Sequence, residues 1–473
     1  MTSTLNSHPN LSELSQEALV LHRKRRMPVP LRLLIALAGL IAIGTGLLLL
    51  PCMTTQRISL IEALFTSTSA SAVTGLSVLT TSTAFTRLGQ WVILLLMQFG
   101  GLGFLVTIVL TLRLLGRRIS LVDRLAVSSS LGLASPKDIL QILGRTVVFM
   151  LAVEGLGTLI LWAHWRLSGI VPAGDAAFYA IFHAVAAFCN AGFDLFAGLP
   201  RYPAGLPADP ISLLTLGFLV IIGGLGIPVY MEMLHRRSAR KQIGRPLRLS
   251  LHTRLALWSA LILILLGWLG LLISEYRHSG VLSELPFIER VLHAWFQSVA
   301  TRTAGFTSLS DFANLHEASR LLIICLMFIG SAPASMGGGI TTGTFSVLVI
   351  AMWSLARGYD TVRVGQRAIP SAMVWRAITV LIISLGTVII GTWLLLISQD
   401  LAFSPALFEV VSAFSTTGLS LGVTGQLNTF GRLVIIVMMF WGRLGAITIM
   451  LALLKRGTRE SLAKYPEEIV LVG

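Results

Sequence analysis

Four glycines recur along the chain at nearly constant spacing, each directly after small or hydroxyl-bearing residues. They are Gly75, Gly192, Gly305 and Gly418, and they are separated by 117, 113 and 113 residues. Because glycine adopts positive φ at little steric cost, a turn built on it can point successive backbone carbonyls in one direction. Four such turns around one axis would form rings of oxygen ligands, which can replace the hydration shell of a weakly hydrated monovalent cation. The spacing therefore predicts a cation site made of main-chain oxygen atoms.

Each glycine closes a similar phrase at the end of a short, moderately apolar segment. The phrases are AVTGL at 72–76, CNAGF at 189–193, RTAGF at 302–306 and STTGL at 415–419. The segments before them cover 59–74, 176–191, 287–304 and 404–417. They are too short to cross a bilayer and end in polar residues, so they are predicted to be re-entrant helices that enter from outside. Their C-terminal ends would direct partial negative charge toward the centre.

The segments between these short helices are long enough and apolar enough to be membrane spans. Of the 473 residues, 55% are hydrophobic and only 12% are charged, which one soluble core cannot accommodate. The predicted spans are 31–50, 89–112, 145–166, 211–234, 254–275, 320–352, 377–398 and 431–454. Small-residue breaks recur in every second span, namely GLGF at 101–104, GLGI at 224–227, GSAP at 330–333 and GRLG at 442–445. One glycine-rich patch alone would indicate only close helix packing, but four copies in register indicate a repeat.

The predicted fold is therefore an all-α integral membrane protein with four repeats of span, pore helix and span around a pseudo-fourfold pore. It has eight transmembrane helices and four re-entrant pore helices. The predicted division is a cytoplasmic N-terminal segment at 1–30, repeats at 31–117, 140–240, 250–357 and 372–456, and a cytoplasmic tail at 457–473.

The net charge of +15 arises from clusters at the predicted membrane edges. Most of the 36 Lys and Arg residues lie in 23–32, 113–145, 236–254, 357–376 and 455–464. The positive-inside rule places these segments, and both termini, in the cytoplasm. A nucleic-acid partner is disfavoured, because the basic residues are not gathered on one soluble domain.

The cysteines and buried ionisable residues carry weaker signals. Cys52, Cys189 and Cys325 are too scattered for a disulfide framework or a metal site and are predicted to be small core residues. LLPC at 49–52 has proline before the cysteine and follows a polar leader, so 31–50 is interpreted as a retained span and not as a lipoprotein signal. Glu154, within a span, fits a packing role and a transport role equally well.

Several ionisable residues lie near the predicted turns. Glu62 and Glu409 are placed near the starts of two short helices, where they favour the helix dipole and could attract cations at the outer mouth. Asp194 and Asp311 follow their turns, where they either add to that field or are solvated loop residues. The two histidines of the short helices, His183 and His293, have no ligand-spaced neighbours and are predicted to be packing residues.

A glycine-rich stretch interrupts the longest apolar segment, in SAPASMGGGITTGT at 331–344. Gly337, Gly338 and Gly339 cannot sustain a helix, since each costs about 1 kcal/mol relative to alanine. A broken helix at mid-depth is tolerated where it lines a cavity. A phosphate loop at this place is excluded because the required lysine is absent and no strand precedes it. Arg443, in WGRLG at 441–445, lies in an apolar span and is expected to face the interior, although snorkelling is the alternative.

These motifs resemble the Ktr/Trk/HKT superfamily of potassium transporters, most closely the Ktr-type membrane subunit, over residues 31 to about 470. The resemblance implies potassium ions bound at the filter carbonyls of Val73-Thr74-Gly75, Asn190-Ala191-Gly192, Thr303-Ala304-Gly305 and Thr416-Thr417-Gly418. Gly75 stands where serine marks many sodium-selective plant relatives, which favours potassium. The resemblance also implies a gate formed by Gly337, Gly338, Gly339, Thr341, Thr342 and Arg443. Members of the family commonly have lysine where this chain has Thr341.

The resemblance further implies potassium uptake across a bacterial plasma (inner) membrane by a lipid-embedded homodimer. A cytoplasmic ring of nucleotide-binding, RCK-type subunits would control the gate. Passive and sodium-assisted uptake both stay open, and no organic cofactor is expected. The alternative function is a small-solute carrier using alternating access, although carriers do not need four glycine turns of the same sense. An enzyme is disfavoured, since the sequence shows no His-Glu metal motif, activated serine or paired aspartates within spans.

Overall fold

Four long apolar helices begin the four repeats of the computed structural model, which describes residues 29–102, 139–202, 205–243, 249–277, 280–309 and 311–445. They are α1 (Val29–Leu48), α5 (Ile139–Leu167), α9 (Leu251–Arg277) and α13 (Ser371–Ser398). All four are long and apolar enough to cross a membrane, and only about a third of each span is buried inside the protein. The rest of their apolar surface faces outward, as expected of helices in contact with lipid.

Four short helices follow these spans and lie in the interior. They are α2 (Leu60–Ala72), α6 (Ala176–Phe188), α10 (Phe287–Ala300) and α14 (Phe403–Phe414). In each of them the second half is almost entirely buried, including the hydroxyl-rich end of α2. Their bounds agree with the predicted short segments to within a few residues.

The second long helix of each repeat ends or bends at the predicted small-residue break. They are α4 (Arg87–Gly101), α7 (Pro210–Gly224) with its continuation α8 (Ile227–Ile243), α11 (Glu317–Phe328) with α12 (Thr342–Ala356), and α15 (Thr429–Leu444). The chain turns by 91° between α7 and α8. Gly226, with a φ of 88°, makes that turn possible.

Side-chain caps explain where these second helices begin. Thr86, Asp209 and Asn428 each accept a hydrogen bond from the backbone N–H three residues on, at 3.3, 2.9 and 2.7 Å. Such caps satisfy amide groups that have no partner in the first turn of a helix. The caps fix the register at which each second helix enters, and therefore the depth of its break.

The remaining elements are small and connect the repeats. They are the single turn α3 (Thr81–Ala84), two 3₁₀ turns (Phe312–Asn314 and Thr424–Gln426) and a hairpin of β1 (Arg363–Val364) with β2 (Arg367–Ala368). The hairpin pairs antiparallel, with Gly365 at a φ of 60° in its turn. The prediction of a helical membrane fold is confirmed, and this hairpin is the one pair of strands among the described residues.

Two large hydrophobic clusters of described residues form most of the interior: one joins mainly repeats 1 and 2, and the other joins mainly repeats 3 and 4. Of the three cysteines, only Cys189 is buried, and the prediction that Cys52 and Cys325 are core residues is wrong. Apolar surroundings in the sequence indicate a lipid-facing position as readily as a core position. Both terminal segments, the basic segment 455–464, most of 113–145 and the ends of the predicted spans 89–112 and 431–454 lie outside the described residues.

Candidate functional site

The four glycine turns follow one another around a closed ring. An added Cβ on Gly192 would lie 2.7 Å from the carbonyl oxygen of Ala304 in repeat 3. In the same way, a Cβ on Gly75 would collide with the carbonyl of Ala191, one on Gly305 with that of Thr417, and one on Gly418 with that of Thr74. Each turn therefore touches the next in the order 1, 2, 3, 4 and back to 1, with no room for a side chain at any of the four glycines.

The backbone of these turns alternates between left-handed and ordinary conformations. The glycines have φ values of 93°, 66°, 68° and 93° in chain order. Two residues earlier, Val73, Asn190 and Thr416 have φ values of 51–58°, while Thr303 has 154°. A left-handed residue on either side of an ordinary one brings successive carbonyls to the same side, a conformation that non-glycine residues rarely adopt. The turns thus have the backbone geometry that a stack of carbonyl ligands requires.

Hydrogen bonds from the short helices hold the turns. The backbone N–H of Thr74, Ala191 and Thr417 donates to a carbonyl five residues earlier, at 2.8–2.9 Å. In repeats 1 and 4, a serine hydroxyl also accepts from the turn glycine: Ser69 from Gly75 at 3.0 Å, and Ser412 from Gly418 at 3.1 Å. These bonds satisfy buried amide groups and leave the turn carbonyls free.

Repeats 2 and 3 are joined directly behind their turns. Asn190 accepts from the hydroxyl of Thr303 at 2.8 Å and donates to Ala187 O at 2.9 Å. The left-handed φ of Asn190 suits asparagine, which tolerates this region better than most residues.

The charge around the ring comes from backbone dipoles. The helices α2, α6, α10 and α14 all end directly before the turns, so the ring lies at four helix C-termini. A helix C-terminus carries about half a negative charge, which favours a cation there. The twelve predicted filter residues include no ionisable side chain, and the eight that are not glycine are at most 1% exposed. A cation in the ring would therefore meet carbonyl oxygen atoms and helix dipoles, and no carboxylate.

The loop between α11 and α12 lies against this ring. It is pinned at its base by a bridge between Ile329 and Ile340 and by a bond of 3.0 Å from Thr342 N to Ser331 O. The N–H of Gly338 donates to the hydroxyl of Thr416 at 2.9 Å. An added Cβ on Gly337 would meet the Thr303 side chain, and one on Gly339 would lie 3.0 Å from Ser415. The three glycines are thus packed against the turns of repeats 3 and 4.

The same loop is also bonded to the bend in repeat 2. Ala332 N donates to Gly224 O and Ile227 N donates to Ala334 O, both at 3.0 Å. These bonds use backbone groups that the break between α7 and α8 leaves without helical partners.

Arg443 connects the loop to repeat 1. Its guanidinium donates to the carbonyls of Met336, Gly100 and Gly101. Gly100 and Gly101 are the last residues of α4, so the cation also lies at a helix C-terminus. Arg443 itself is in the last turn of α15, directly before the break at Leu444 and Gly445. Its contacts are interior, which excludes the alternative of an arginine snorkelling to the interface.

The predicted gate residues Thr341 and Thr342 begin the helix after the loop. Thr341 caps α12 by accepting from Thr344 N at 3.4 Å, a role that a lysine cannot perform. Thr342 is buried, and its hydroxyl has no partner among the described residues.

The two glutamates occupy different environments, which corrects one prediction. Glu62 is in the first turn of α2, where it forms a capping box with Ser59 and an ion pair of 3.3 Å with Arg432. Glu409 is in the middle of α14, fully buried, and accepts hydrogen bonds from Ser420 at 2.8 Å and from Thr424. It lies six residues after Phe403, the first residue of α14, and its side chain is enclosed by protein, so it is neither at the helix start nor exposed at a mouth.

Of the other polar residues predicted near the turns, the two histidines are buried and Asp311 is exposed. His183 is buried among Trp165, Tyr179 and Phe196, as the packing prediction required, but it also lies 3.0 Å from Asp194. His293 is buried and lies 2.8 Å from the hydroxyl of Ser308. The exposed Asp311 bonds Asn314.

Glu154 is buried between repeats 1 and 2. Its carboxylate accepts from Gln98 Nε2 at 3.1 Å and lies beside Cys189, the residue before Asn190. Among the described residues, it contacts no cationic side chain. Its position behind the turn of repeat 2 fits both predicted roles, packing of that turn and transport.

Sequence reasoning did not find the side chains that hold the turns. Ser69 and Ser412 both stand six residues before their glycine, and this shared offset is a signal that aligning the four phrases could have revealed. The glycines at the breaks of the second helices also have a packing role that was not predicted. An added Cβ on Gly100, Gly223 or Gly442 would collide with the carbonyl of Ser71, Phe188 or Phe414 at the end of a short helix.

Comparisons with known proteins agree with this architecture. A family model described as "TrkH: Cation transport protein" matches residues 32–465. The chain is 36% identical to the "Ktr system potassium uptake protein B" of Bacillus subtilis, covering 92% of this chain and 94% of that protein. It is 33% identical to the "Potassium/sodium uptake protein NtpJ" of Enterococcus hirae, covering 95% and 98%.

The fold is shared with known structures of potassium transporters, as one example shows. The potassium transporter TrkH from Vibrio parahaemolyticus superposes with a TM-score of 0.71 at 20% identity, covering 91% of this chain and 86% of that one. The ring of turns, the broken second helices and these matches together lead to one conclusion. The chain belongs to the TrkH family of cation transport proteins.

Proposed function

We propose that this chain takes up potassium ions through a filter formed by its four glycine turns. The observation that carries the proposal is the cyclic contact of each turn glycine with the carbonyl of the next repeat. Relatives named as potassium uptake proteins match over nearly the whole chain, which supports potassium as the ion.

The proposed ion sites are the carbonyl groups of the four filter triplets: Val73-Thr74-Gly75, Asn190-Ala191-Gly192, Thr303-Ala304-Gly305 and Thr416-Thr417-Gly418. Potassium holds its hydration shell weakly, so a ring of carbonyl dipoles can replace it. The four helix ends stabilise the dehydrated cation. In this proposal eight transmembrane helices and four re-entrant helices surround the pore, in repeats at 31–117, 140–240, 250–357 and 372–456.

The loop at 331–344 is the proposed gate. Its glycines lie against the turns, and four hydrogen-bonded contacts hold it: Thr416, the repeat 2 bend, Arg443 and its own base. The loop could leave the ring only if these hydrogen bonds broke together, as expected of a gate with two discrete states. Thr341, which stands where the family commonly has lysine, would act by capping α12.

The finer features of the proposal rest on family membership. We propose a homodimer in a bacterial inner membrane with both termini cytoplasmic, controlled by a cytoplasmic nucleotide-binding ring. The relatives named Ktr system proteins support a partner subunit, and the relative named a potassium/sodium uptake protein supports sodium dependence. No organic cofactor is proposed for this chain. A small-solute carrier is not favoured, because the relatives that match nearly the whole chain are named as ion uptake proteins.

The filter can be tested by potassium uptake in cells that need external potassium and lack their own uptake systems. We expect the intact chain to restore growth and Gly305→Ser to abolish it, because the added side chain meets the Thr417 carbonyl. Gly386→Ser is the matched control, since Gly386 lies in α13 with no atom within 4 Å of an added Cβ. Equal uptake by the wild type and by Ser variants at all four turn glycines would reject the filter.

A further inference from the structure

The segment that leaves each glycine turn has one recurring hydrogen bond. We call residues 76–79, 193–196, 306–309 and 419–422 the outer arms. In each arm, the side chain two residues after the glycine bonds the backbone of the residue four after it. The pairs are Ser77 with Leu79 O, Asp194 with Phe196 N at 2.7 Å, Thr307 with Leu309 N at 3.1 Å, and Ser420 with Gly422 N at 3.1 Å. In repeats 2, 3 and 4 the side chain accepts from the backbone N–H, whereas in repeat 1 Ser77 donates to the Leu79 carbonyl, so the arms of repeats 2, 3 and 4 share one local fold.

In repeats 2 and 4 only, this same side chain also bonds a buried residue of the short helix. His183 lies 3.0 Å from Asp194 Oδ1, and Glu409 accepts from Ser420 at 2.8 Å. His183 and Glu409 both stand nine residues before their glycine, and both are fully buried. We call these two contacts the braces. They connect the outer arm to the helix whose end carries the turn.

The equivalent position is different in the other two repeats. In repeat 1 it is Thr66, a buried residue whose hydroxyl has no partner, and in repeat 3 it is the apolar Phe296. Repeat 3 has another connection, from His293 to Ser308. Among the described residues, no side chain of the repeat 1 short helix bonds its own outer arm. Since the turns follow one another in chain order, the braced repeats 2 and 4 are diagonal in the ring.

We propose that His183 and Glu409 are positioning residues that set the preference of the filter for potassium over sodium. The inference rests on the proposed function. In the cavity-size account of selectivity, a carbonyl ring distinguishes the two ions when its oxygen atoms cannot move inward to contact the smaller one. A brace fixes the outer arm to a rigid helix, so the two diagonal braces limit how far the ring can contract. The unbraced repeat 1 cannot supply that restraint.

The test is to measure the KM for potassium and for sodium in uptake by the full chain. We expect Glu409→Leu, Ser420→Ala and His183→Leu to lower the preference for potassium by about tenfold, the scale of one lost buried hydrogen bond to a polar or charged group. Glu409→Gln keeps an acceptor for Ser420 and should restore the preference to within about twofold of wild type. Thr66→Val is the matched control at the same position of repeat 1 and should leave the preference unchanged.

The outcomes separate this inference from the filter itself. Uptake that still depends on Gly305 but keeps its potassium preference in Glu409→Leu, Ser420→Ala and His183→Leu would overturn the inference and leave the filter standing. Potassium uptake that is unchanged by Gly305→Ser would overturn both this inference and the proposed filter. If Glu409→Leu is absent from the membrane, Ser420→Ala decides, because it removes the brace and keeps Glu409. Fewer transporters with unchanged preference would show a structural role only and would count against the inference.

Discussion

Repeats 1 and 4 are neighbours in the ring and have nearly the same backbone but different side-chain contacts. Both turn glycines have a φ of 93°, and both are held by a serine hydroxyl six residues earlier. Repeat 4 adds the Glu409 brace and a hydrogen bond that Thr416 accepts from Gly338 N–H in the 331–344 loop. In repeat 1 the corresponding residues are Thr66, without a partner, and Val73, which cannot accept a hydrogen bond.

The comparison shows that the repeat fixes the path of the backbone, while single side chains make the four quarters of the ring unequal. The short helix of repeat 1 contains three buried hydroxyls without partners among the described residues, on Thr66, Thr68 and Ser71. Because these hydroxyls make no hydrogen bonds to other described residues, this helix is less constrained than α14. We therefore expect substitutions at shared backbone positions to act alike in both repeats, and substitutions at the differing side chains to act in repeat 4 alone.

The largest effect is expected from Gly75→Ala and Gly418→Ala. Both residues have positive φ, and an added Cβ would collide with a backbone carbonyl of the next repeat. Each variant should lose potassium uptake by more than about tenfold, since strained backbone costs about 1–3 kcal/mol before the collision is counted. Gly422→Ala is the control, because Gly422 has a φ of 87° but no atom near an added Cβ. Loss of potassium uptake in only one of the two variants would contradict the expectation that the two turns are equivalent.

A smaller and one-sided effect is expected from Thr416→Val. It removes the acceptor of Gly338 N–H, and an unsatisfied buried donor costs about 1–3 kcal/mol. The loop should leave its position more often, so potassium flux into vesicles without any partner subunit should rise several-fold. Val73→Thr, at the same position of repeat 1, should not change that flux. An equal response to both variants would contradict the specific role of Thr416.

A modest effect of equal size is expected from Ser69→Ala and Ser412→Ala. Each removes the hydroxyl that accepts from a turn glycine, and a typical hydrogen bond contributes about 1 kcal/mol. The KM for potassium should rise by about fivefold in both variants. Ser398→Ala is a suitable control, because that hydroxyl bonds only its own helix at Leu395 O. A much larger change in one repeat would show that the two turns differ in more than their side chains.

The smallest effect is expected from Thr66→Val. Its hydroxyl is buried without a partner, so replacing it with a methyl group removes a desolvated polar group at nearly constant volume. Thermal unfolding of the purified protein should show unchanged or slightly increased stability, by at most about 1 kcal/mol. A clear loss of stability would mean that this hydroxyl has a partner, and repeat 1 would then be closer to repeat 4.

The sequence predicted the short helices and the breaks of the second helices because both signals are local. A glycine that must hold positive φ, and an apolar segment too short to span, are visible without knowing any tertiary contact. Local signals failed for Glu409, because its burial depends on the segment after the turn, where Ser420 and Thr424 donate to its carboxylate. They failed for Cys52 and Cys325 because lipid and protein interior select the same apolar residues.

Contacts between distant segments were the part that sequence could not supply. The hairpin at 363–368 has two residues in each strand, too few for an alternating pattern. Arg443 was expected in the interior, but its bond to Gly100 joins residues 343 positions apart. The braces could be found only after the outer arms were seen to fold back on the short helices.

The order of contacts around the ring has a consequence for synthesis of the protein. The last turn closes the circle, since Gly418 packs against Thr74 from the beginning of the chain. In the proposed pore, a nascent chain that has inserted only three repeats lacks one quarter of the ring. Ion conduction through that pore would begin only after the fourth repeat has joined the first, which would protect the ion gradients of the cell from half-made copies.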